Sequence, residues 1–388
     1  MPDTTFNDTE RIADALLNTA VGGSGSPRRR ARFHELAVST VRPLTEDAVE
    51  VTFAVPDELA GEYDYLPGQY VALRTTLEGH ELRRSYSLCR PPEPGRLSIG
   101  IKRDHGGLFS TWAQTDLAVG DRIDVMSPQG AFTSTLADLD DAHVVGVAAG
   151  SGITPLMALA TAVLARSETS RFTLLYTNRS STNVMFVEEL ADLKDRYPTR
   201  FVLHHVLSRE QRAAPVLSGR IDEERLRTIF DRLVLPATVD EWFLCGPLEL
   251  VQLCRDTLAD LGVDSGHVRY ELFSAGENSG GPTTPRPVEV REGEPTVAID
   301  VTLDGQSTTV QSPVSANESI LTAALRVRAD VPYACSGGVC GTCRARVLSG
   351  SVRMTENYAL EPDELERGYV LTCQSHPTSD RVAVDYDV

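Results

Sequence analysis

Cys335, Cys340 and Cys343 stand in the spacing C-x4-C-x2-C, and Cys373 follows 30 positions beyond Cys343. Four thiolates so placed can converge on two irons, and this is the plant-type [2Fe–2S] spacing. Gly337, Gly338 and Gly341 lie between the ligands. A backbone without Cβ atoms can wrap closely there and aim N–H groups at sulfur. Zinc is the rival ligand. Its knuckles usually come as two C-x2-C pairs, and only one such pair is present. The other cysteines, Cys89, Cys245 and Cys254, are scattered. An odd total of seven argues against a disulfide framework.

A second set of residues suits a dinucleotide. Gly150-Ser151-Gly152-Ile153-Thr154-Pro155 follows an apolar run and precedes a helical pattern. Its glycines permit a tight turn and close approach of a pyrophosphate to a helix N-terminus. Asn178, Arg179 and Ser180 come after the next apolar run, and Ser208 and Arg209 after the one beyond. NAD-selective sites usually place an acid at this point. Guanidinium and hydroxyl groups suit a 2′-phosphate instead, which favours NADPH. Either arginine alone reads equally as an ordinary surface residue. Cys245-Gly246-Pro247 could face a nicotinamide ring, although a buried cysteine is also a plain small hydrophobe.

A third set lies nearer the N-terminus. In Arg84-Ser85-Tyr86-Ser87 the tyrosine could stack on a flavin, the serine could hydrogen-bond its N5 edge and the arginine could pair with phosphate. Gly106, Gly107, Ser110 and Thr111 place N–H and O–H donors at a helix start, where an anion is favoured. Four residues in a strand can also be just a strand. The order of these signals ahead of the nucleotide set gives them weight.

The elements that must hold these residues fall into three blocks. Residues 31–139 show short β segments, Val49–Val55, Tyr70–Arg74, Ser85–Leu88, Arg96–Lys102 and Asp121–Met126, with Gly/Pro punctuation. This predicts an antiparallel β-barrel. Residues 140–273 alternate buried-type strands (His143–Ala149, Arg171–Thr177, Phe201–Leu207, Glu241–Cys245) with helices at Thr154–Ala165, Val184–Lys194, Ile221–Phe230 and Leu248–Leu261. That is a doubly wound α/β pattern. Residues 274–293 form a Gly/Pro/polar linker, with a reach of roughly 25 Å if flexible. Residues 294–388 hold strands Thr296–Leu303 and Thr308–Val310, a helix near Ser319–Arg326, the cysteine loop and short closing strands. Residues 1–30 read as a mobile leader.

Taken together, Arg84-x-Tyr86-Ser87, Gly107-x-x-Ser110, Gly150-x-Gly152-x-x-Pro155, Ser208-Arg209 and Cys245-Gly246-Pro247 resemble the ferredoxin–NADP reductase superfamily. The appended cysteine domain resembles a plant-type ferredoxin, a β-grasp α+β fold. The resemblance covers residues 33–388, and the domain order is that of oxygenase reductase components. Two stretches, Tyr176–Ser181 and Asn357–Glu361 through Gly368–Gln374, are most similar to the reductase subunits of phenylacetyl-CoA ring epoxidases. Reductases serving 3-ketosteroid 9α-hydroxylase share the architecture. The resemblance implies a multidomain cytoplasmic enzyme that passes electrons from NADPH to FAD, to a [2Fe–2S] cluster and to a di-iron oxygenase docked transiently. It implies Tyr86, Ser87 and Cys245 at the reacting rings, and Phe273 shielding the flavin. The leader departs from the usual family start.

Other classes fit less well. A stand-alone diaphorase would turn over fully with small acceptors, and a regulatory redox sensor would bind flavin poorly. No run of about 18 apolar residues is present for a membrane span. A net charge of −18 disfavours nucleic acid and anionic membrane as partners. The cysteine domain, with 13 acidic and 7 basic residues, carries only its share of that acidity, so charge alone does not define a docking face.

Overall fold

The computed structural model describes residues 31–136, 139–273, 288, 293–360 and 362–388. The expected leader and nearly all of the expected linker lie outside them. The chain folds as two compact units: Phe33–Val71 with Tyr86–Phe273, and Ala72–Ser85 with the described residues from 293 onward.

The first sheet takes β1 (Phe33–Thr45), β2 (Ala48–Ala54), β3 (Tyr70–Leu77), β4 (His80–Ser87), β5 (Arg96–Lys102) and β6 (Arg122–Met126) in the order β4-β3-β6-β1-β2-β5. β1 pairs antiparallel with β2 and β6, and β2 with β5. Leu88, one residue past β4, bridges Ile99 of β5, so the sheet curls toward closure as an open barrel. Its apolar side chains Leu36, Val38, Val51, Phe53, Leu97 and Ile99 are buried. Full burial of such a side chain is worth about 1.5–3 kcal/mol. Helix α1 (Leu108–Thr115) follows β5, starting after Gly107.

The second sheet is wholly parallel. β7 (His143–Ala149), β8 (Arg171–Asn178), β9 (Phe201–Leu207), β10 (Glu241–Gly246) and β11 (Val268–Leu272) lie in the order β11-β10-β7-β8-β9. Helices α2 (Ile153–Arg166), α3 (Val187–Arg196), α4 (Glu223–Arg232) and α5 (Leu248–Asp260) make the crossovers. Strands covered on both faces need continuous apolar runs, as β7 and β10 have. The strand order reverses between β7 and β10. In an open α/β sheet the ligand crevice lies at that switch point, beyond the carboxyl ends of the strands.

Two helices begin later than the sequence pattern predicts. α3 starts at Val187 rather than Val184, because Val184, Met185 and Phe186 are buried and Phe186 takes a left-handed backbone with φ 59°. α4 starts at Glu223 because the Asp222 side chain accepts from Arg225 N at 2.9 Å and caps it.

The second unit carries a mixed sheet. β12 (Thr296–Leu303), β13 (Gln306–Pro313), β14 (Arg344–Ser349), β16 (Tyr369–Leu371) and β18 (Arg381–Asp385) lie in the order β13-β12-β18-β14-β16, with β12 and β18 parallel. A second, two-stranded sheet pairs β15 (Val352–Met354) with β17 (Ser375–Pro377). Helix α6 (Ile320–Leu325) packs its apolar residues into a core with Ile299, Val301, Val382 and Val384. Ser319 caps this helix. A short helix α7 (Pro362–Glu366) precedes β16. A mixed sheet backed by one main helix is the expected α+β architecture.

Candidate functional site

The cysteine loop leaves α6 and returns at β14. Its backbone takes left-handed conformations at Ser336 (φ 53°), Gly338 (φ 77°) and Gly341 (φ 69°). A Cβ on Gly338 would also press on Gln374 Cγ and on the Glu356 carbonyl. Gln374 Nε2 donates to Ser336 O at 2.9 Å, and Tyr358 N donates to Gly338 O at 3.0 Å. The loop is thereby tied to the segments before and after β16. Cys343 and Cys373 are buried, and Cys335 and Cys340 are partly exposed.

The four sulfurs form two interacting pairs. The Cys335 and Cys340 thiols interact: that contact and burial push Cys335 up, while the same contact, with Thr342 and against burial, draws Cys340 down to about 6. Cys343 hydrogen-bonds to Cys373 and is pushed up. Two pairs of sulfurs suit two irons better than one zinc. Gly337 N already donates to Cys335 Sγ at 3.4 Å. The loop therefore fits a [2Fe–2S] cluster.

The nucleotide set gathers at the switch point. After β7 the chain turns through Gly150, with φ 54°, and Gly152. A Cβ on Gly152 would collide with the Cys245 carbonyl, so only glycine lets this turn approach the end of β10. Thr154 is fully buried and its Oγ1 donates to Ser151 O at 2.9 Å. Pro155 is buried in the first turn of α2. Tyr176, to which the motifs give no role, donates its hydroxyl to Gly150 O at 2.9 Å and holds the turn from β8. Gly152→Ala is therefore expected to weaken NADP+ binding about tenfold with FAD content unchanged, read by titration against the flavin spectrum.

The two arginine-bearing loops meet. Ser208 N donates to Asn178 O at 2.9 Å, and Arg209 N donates to Arg179 O at 2.8 Å. Both arginines are exposed. The Asn178 side chain is buried, with its Nδ2 unpartnered among the described residues. Ser180 Oγ donates to Asn183 Oδ1 at 2.7 Å. An acid is also present: Glu210 Oε1 accepts from Ser181 N at 2.7 Å and from Ser181 Oγ at 3.0 Å.

Strand pairing brings the remaining residues together. Cys245 of β10 is the register partner of Glu271 of β11, and Gly246 that of Leu272. Ser87, at the end of β4, donates its hydroxyl to Glu271 Oε2 at 3.0 Å. Burial, and then the Glu271 charge, push the Cys245 thiol well above its ordinary value, so it stands as a neutral, apolar group. Pro247 follows and precedes α5. Tyr86 is half-buried, with its ring 5.7 Å from that of Phe109. Phe273, just past β11, is 38% exposed. Glu271 belongs to no motif. Its one signal in the sequence is a charged residue in an otherwise closing strand, two places before the terminal aromatic.

The flavin-phosphate set divides. Arg84 is half-buried and donates to Arg83 O at 2.8 Å. Gly106 is exposed with φ 74°, and Thr111 is exposed on α1. The Ser110 hydroxyl is occupied locally: it accepts from Asp104 N at 3.0 Å and leans on Gly107 O. Ser110 therefore shapes the Gly106–Gly107 turn, and the exposed donors there are backbone groups and Thr111.

Residues 35–134 match the oxidoreductase FAD-binding domain family, 147–256 the oxidoreductase NAD-binding domain family and 301–378 the 2Fe-2S iron-sulfur cluster binding domain family. A component of the 1,2-phenylacetyl-CoA epoxidase of Escherichia coli (strain K12) is 42% identical over 356 residues, covering 92% of this chain and 98% of that protein. The ferredoxin reductase component of 3-ketosteroid-9-alpha-monooxygenase from Mycobacterium tuberculosis (strain CDC 1551 / Oshkosh) is 36% identical over 91% of this chain and 96% of that protein. Phthalate dioxygenase reductase shares the fold, with a TM-score of 0.54 and 24% identity over 91% of this chain and 98% of that one.

Proposed function

The chain belongs to the ferredoxin–NADP reductase-type electron-transfer components of oxygenases, with FAD, NAD(P)H and a [2Fe–2S] cluster as cofactors, and from that premise we propose that it draws on NADPH and serves a phenylacetyl-CoA epoxidase. The observation that carries the choice of partner is the 42% identity, over nearly both full lengths, to the epoxidase component of Escherichia coli. Reconstitution decides it. Purified epoxidase oxygenase subunits with phenylacetyl-CoA and NADPH are expected to turn over. A 3-ketosteroid 9α-hydroxylase oxygenase supplied instead is expected to give little product. The reverse result would transfer the assignment to the steroid system.

FAD, when bound, supplies an acceptor for two electrons that can leave singly, and the cluster supplies a one-electron carrier. The chain's own residues do the positioning. Gly150, Gly152, Thr154 and Pro155 would hold the pyrophosphate at the start of α2, and Asn178, Arg179, Ser180, Ser208 and Arg209 the 2′-phosphoribose. Cys245, Gly246 and Pro247 would form an apolar pad for the nicotinamide and exclude water. Tyr86 and Phe273 would flank the flavin ring, and Arg84 with the Gly106–Thr111 turn would hold its phosphates. Ser87 donates its hydroxyl to Glu271 Oε2, a bond that would orient the serine oxygen toward the N5 edge of a bound flavin. Cys335, Cys340, Cys343 and Cys373 would hold the cluster.

Ser87→Ala is expected to keep FAD and slow flavin reduction by NADPH about 100-fold, measured by stopped-flow absorbance. A loss of less than about threefold would remove Ser87 from the reacting edge. We place the protein in the cytoplasm, docking its oxygenase transiently. No described helix is long and apolar enough to cross a membrane.

A further inference from the structure

Four charged side chains join the barrel to the nucleotide lobe, away from the pyridine and flavin residues. Glu50 of β2 is buried and accepts from both nitrogens of the Arg90 fork, at 2.6 and 2.8 Å, and from Arg42 of β1 at 2.6 and 3.0 Å. Arg42, Glu50 and Arg90 all belong to the barrel. The fourth member, Glu189, sits in the first turn of α3 in the nucleotide lobe. Its Oε1 accepts from Arg90 at 2.8 Å and also from Arg42. Arg90 further lies 5.6 Å over the ring of Phe186, the left-handed residue that caps α3.

Glu50 answers only one of the two arginine charges within the barrel. The charge left over is neutralised by Glu189, from the other lobe. What it adds is a tie between lobes. Burial pushes Glu189 up, but the Arg90 and Arg42 charges outweigh it and hold it below the usual carboxylate range.

A second contact lies beside this tie. Gly100 of β5 has no room for a Cβ, which would meet Thr154 Cγ2 at 2.6 Å and Met185 Cε at 3.3 Å. Thr154 belongs to the pyrophosphate turn. The barrel thus touches the nucleotide lobe at Gly100–Thr154, at Ser87–Glu271 and at Arg42/Arg90–Glu189, besides the apolar packing of Ala48, Cys89 and Phe132 and the Ser134/Thr135 bonds to Glu241. Among these, Glu189 supplies the charged tie to β1 and to Arg90, and the others leave that side of the interface unanchored by charge.

We infer that Glu189 is a positioning residue for hydride transfer, holding the nucleotide lobe at the angle that presents a bound nicotinamide to the flavin. The inference rests on the NAD(P)H-to-flavin step of the proposed function. The phosphates of each cofactor would be held within one lobe, whereas transfer needs the two rings in register across both. A misplacement of about 1 Å can cost about 100-fold in rate. Loss of one tie among several is expected to cost less.

The test is Glu189→Gln in the full-length, FAD-loaded protein. The limiting rate of flavin reduction at saturating NADPH should fall about tenfold, with FAD content and the NADP+ dissociation constant within about twofold of the parent. Glu189→Asp should recover a large part of the rate. A limiting rate within about twofold of the parent, or a rate loss matched by an equal loss of NADP+ affinity, overturns the inference. If Glu189→Gln does not fold, Arg42→Gln carries the rate readout, since it removes one of the two bonds to Glu189: it should slow reduction with FAD retained, and an unchanged rate overturns the inference. Should the parent itself not be reduced by NADPH, the proposed function fails rather than this tie.

Discussion

Replacing Cys343 by serine will abolish electron delivery to an oxygenase while leaving NADPH-to-ferricyanide reduction within about twofold of the parent. The reason lies in where the sulfur sits. Cys343 is buried and paired with Cys373, and Thr372 holds its carbonyl with both backbone N and Oγ1, at 3.1 and 2.9 Å. A serine oxygen there is a poorer ligand for iron and leaves Cys373 without its partner. The left-handed Ser336 in the loop then loses the cluster that compensates its strain. Metal binding to such a loop is folding free energy, so cluster loss and local unwinding should come together. The flavin and nucleotide residues belong to the other compact unit, apart from the β3–β4 hairpin. They should keep their chemistry. The expected record is an absorption spectrum with the flavin bands retained and the iron–sulfur shoulders gone. Oxygenase-coupled product should fall by more than about 100-fold. Product formation near the parent's level would show that electrons bypass the cluster.

How far the sequence discloses this arrangement depends on whether a residue's role is local. The cysteine spacing, the glycine turn after β7 and the buried strands of the parallel sheet are local patterns and are legible. Residues 33–45 form a long strand, β1, yet their alternation is weak because both faces are partly exposed. The sequence pattern shows a strand only around Arg84–Leu88, whereas β4 begins at His80, because Glu81 and Arg83 interrupt the apolar pattern of this edge strand. Glu271 cannot be found from its neighbours. Its meaning comes from Ser87, 184 positions earlier, and from Cys245 across a parallel pair. Tyr176 stands in a recognisable stretch, but its task at Gly150 O emerges only in three dimensions. The Glu50 cluster is likewise built from four positions with no common motif. The start of α3 slips because a left-handed Phe186 is a tertiary choice, made to bury Val184, Met185 and Phe186.

Removing both Arg179 and Arg209 should convert a strong preference for NADPH into near indifference. The two residues sit on different loops, yet the Arg209 N–H to Arg179 O bond sets their backbones side by side beyond β8 and β9. Both are exposed, so each can turn toward a phosphate without breaking a core. A phosphomonoester carries about −1.5 to −2 charges and accepts strong, bidentate bonds from guanidinium. Hydrogen bonds to charged groups are worth about 1.5–3 kcal/mol each, roughly 10- to 100-fold in affinity. Each single alanine variant should therefore weaken NADPH about tenfold, and the double variant about 100-fold or more in kcat/KM. NADH lacks the phosphate, so its kcat/KM should stay within about threefold. Glu210 sharpens the expectation. Its carboxylate is held beside the two arginine-bearing loops by Ser181, and without the two arginines it would face a bound phosphate uncompensated. In the double variant, Glu210→Gln should then recover part of the NADPH loss and leave NADH unchanged. Rising salt should erode NADPH use in the parent and have little effect in the double variant, since the attraction it screens is gone. Equal losses for the two nucleotides would remove the 2′-phosphate from these arginines and return them to the ordinary charged surface.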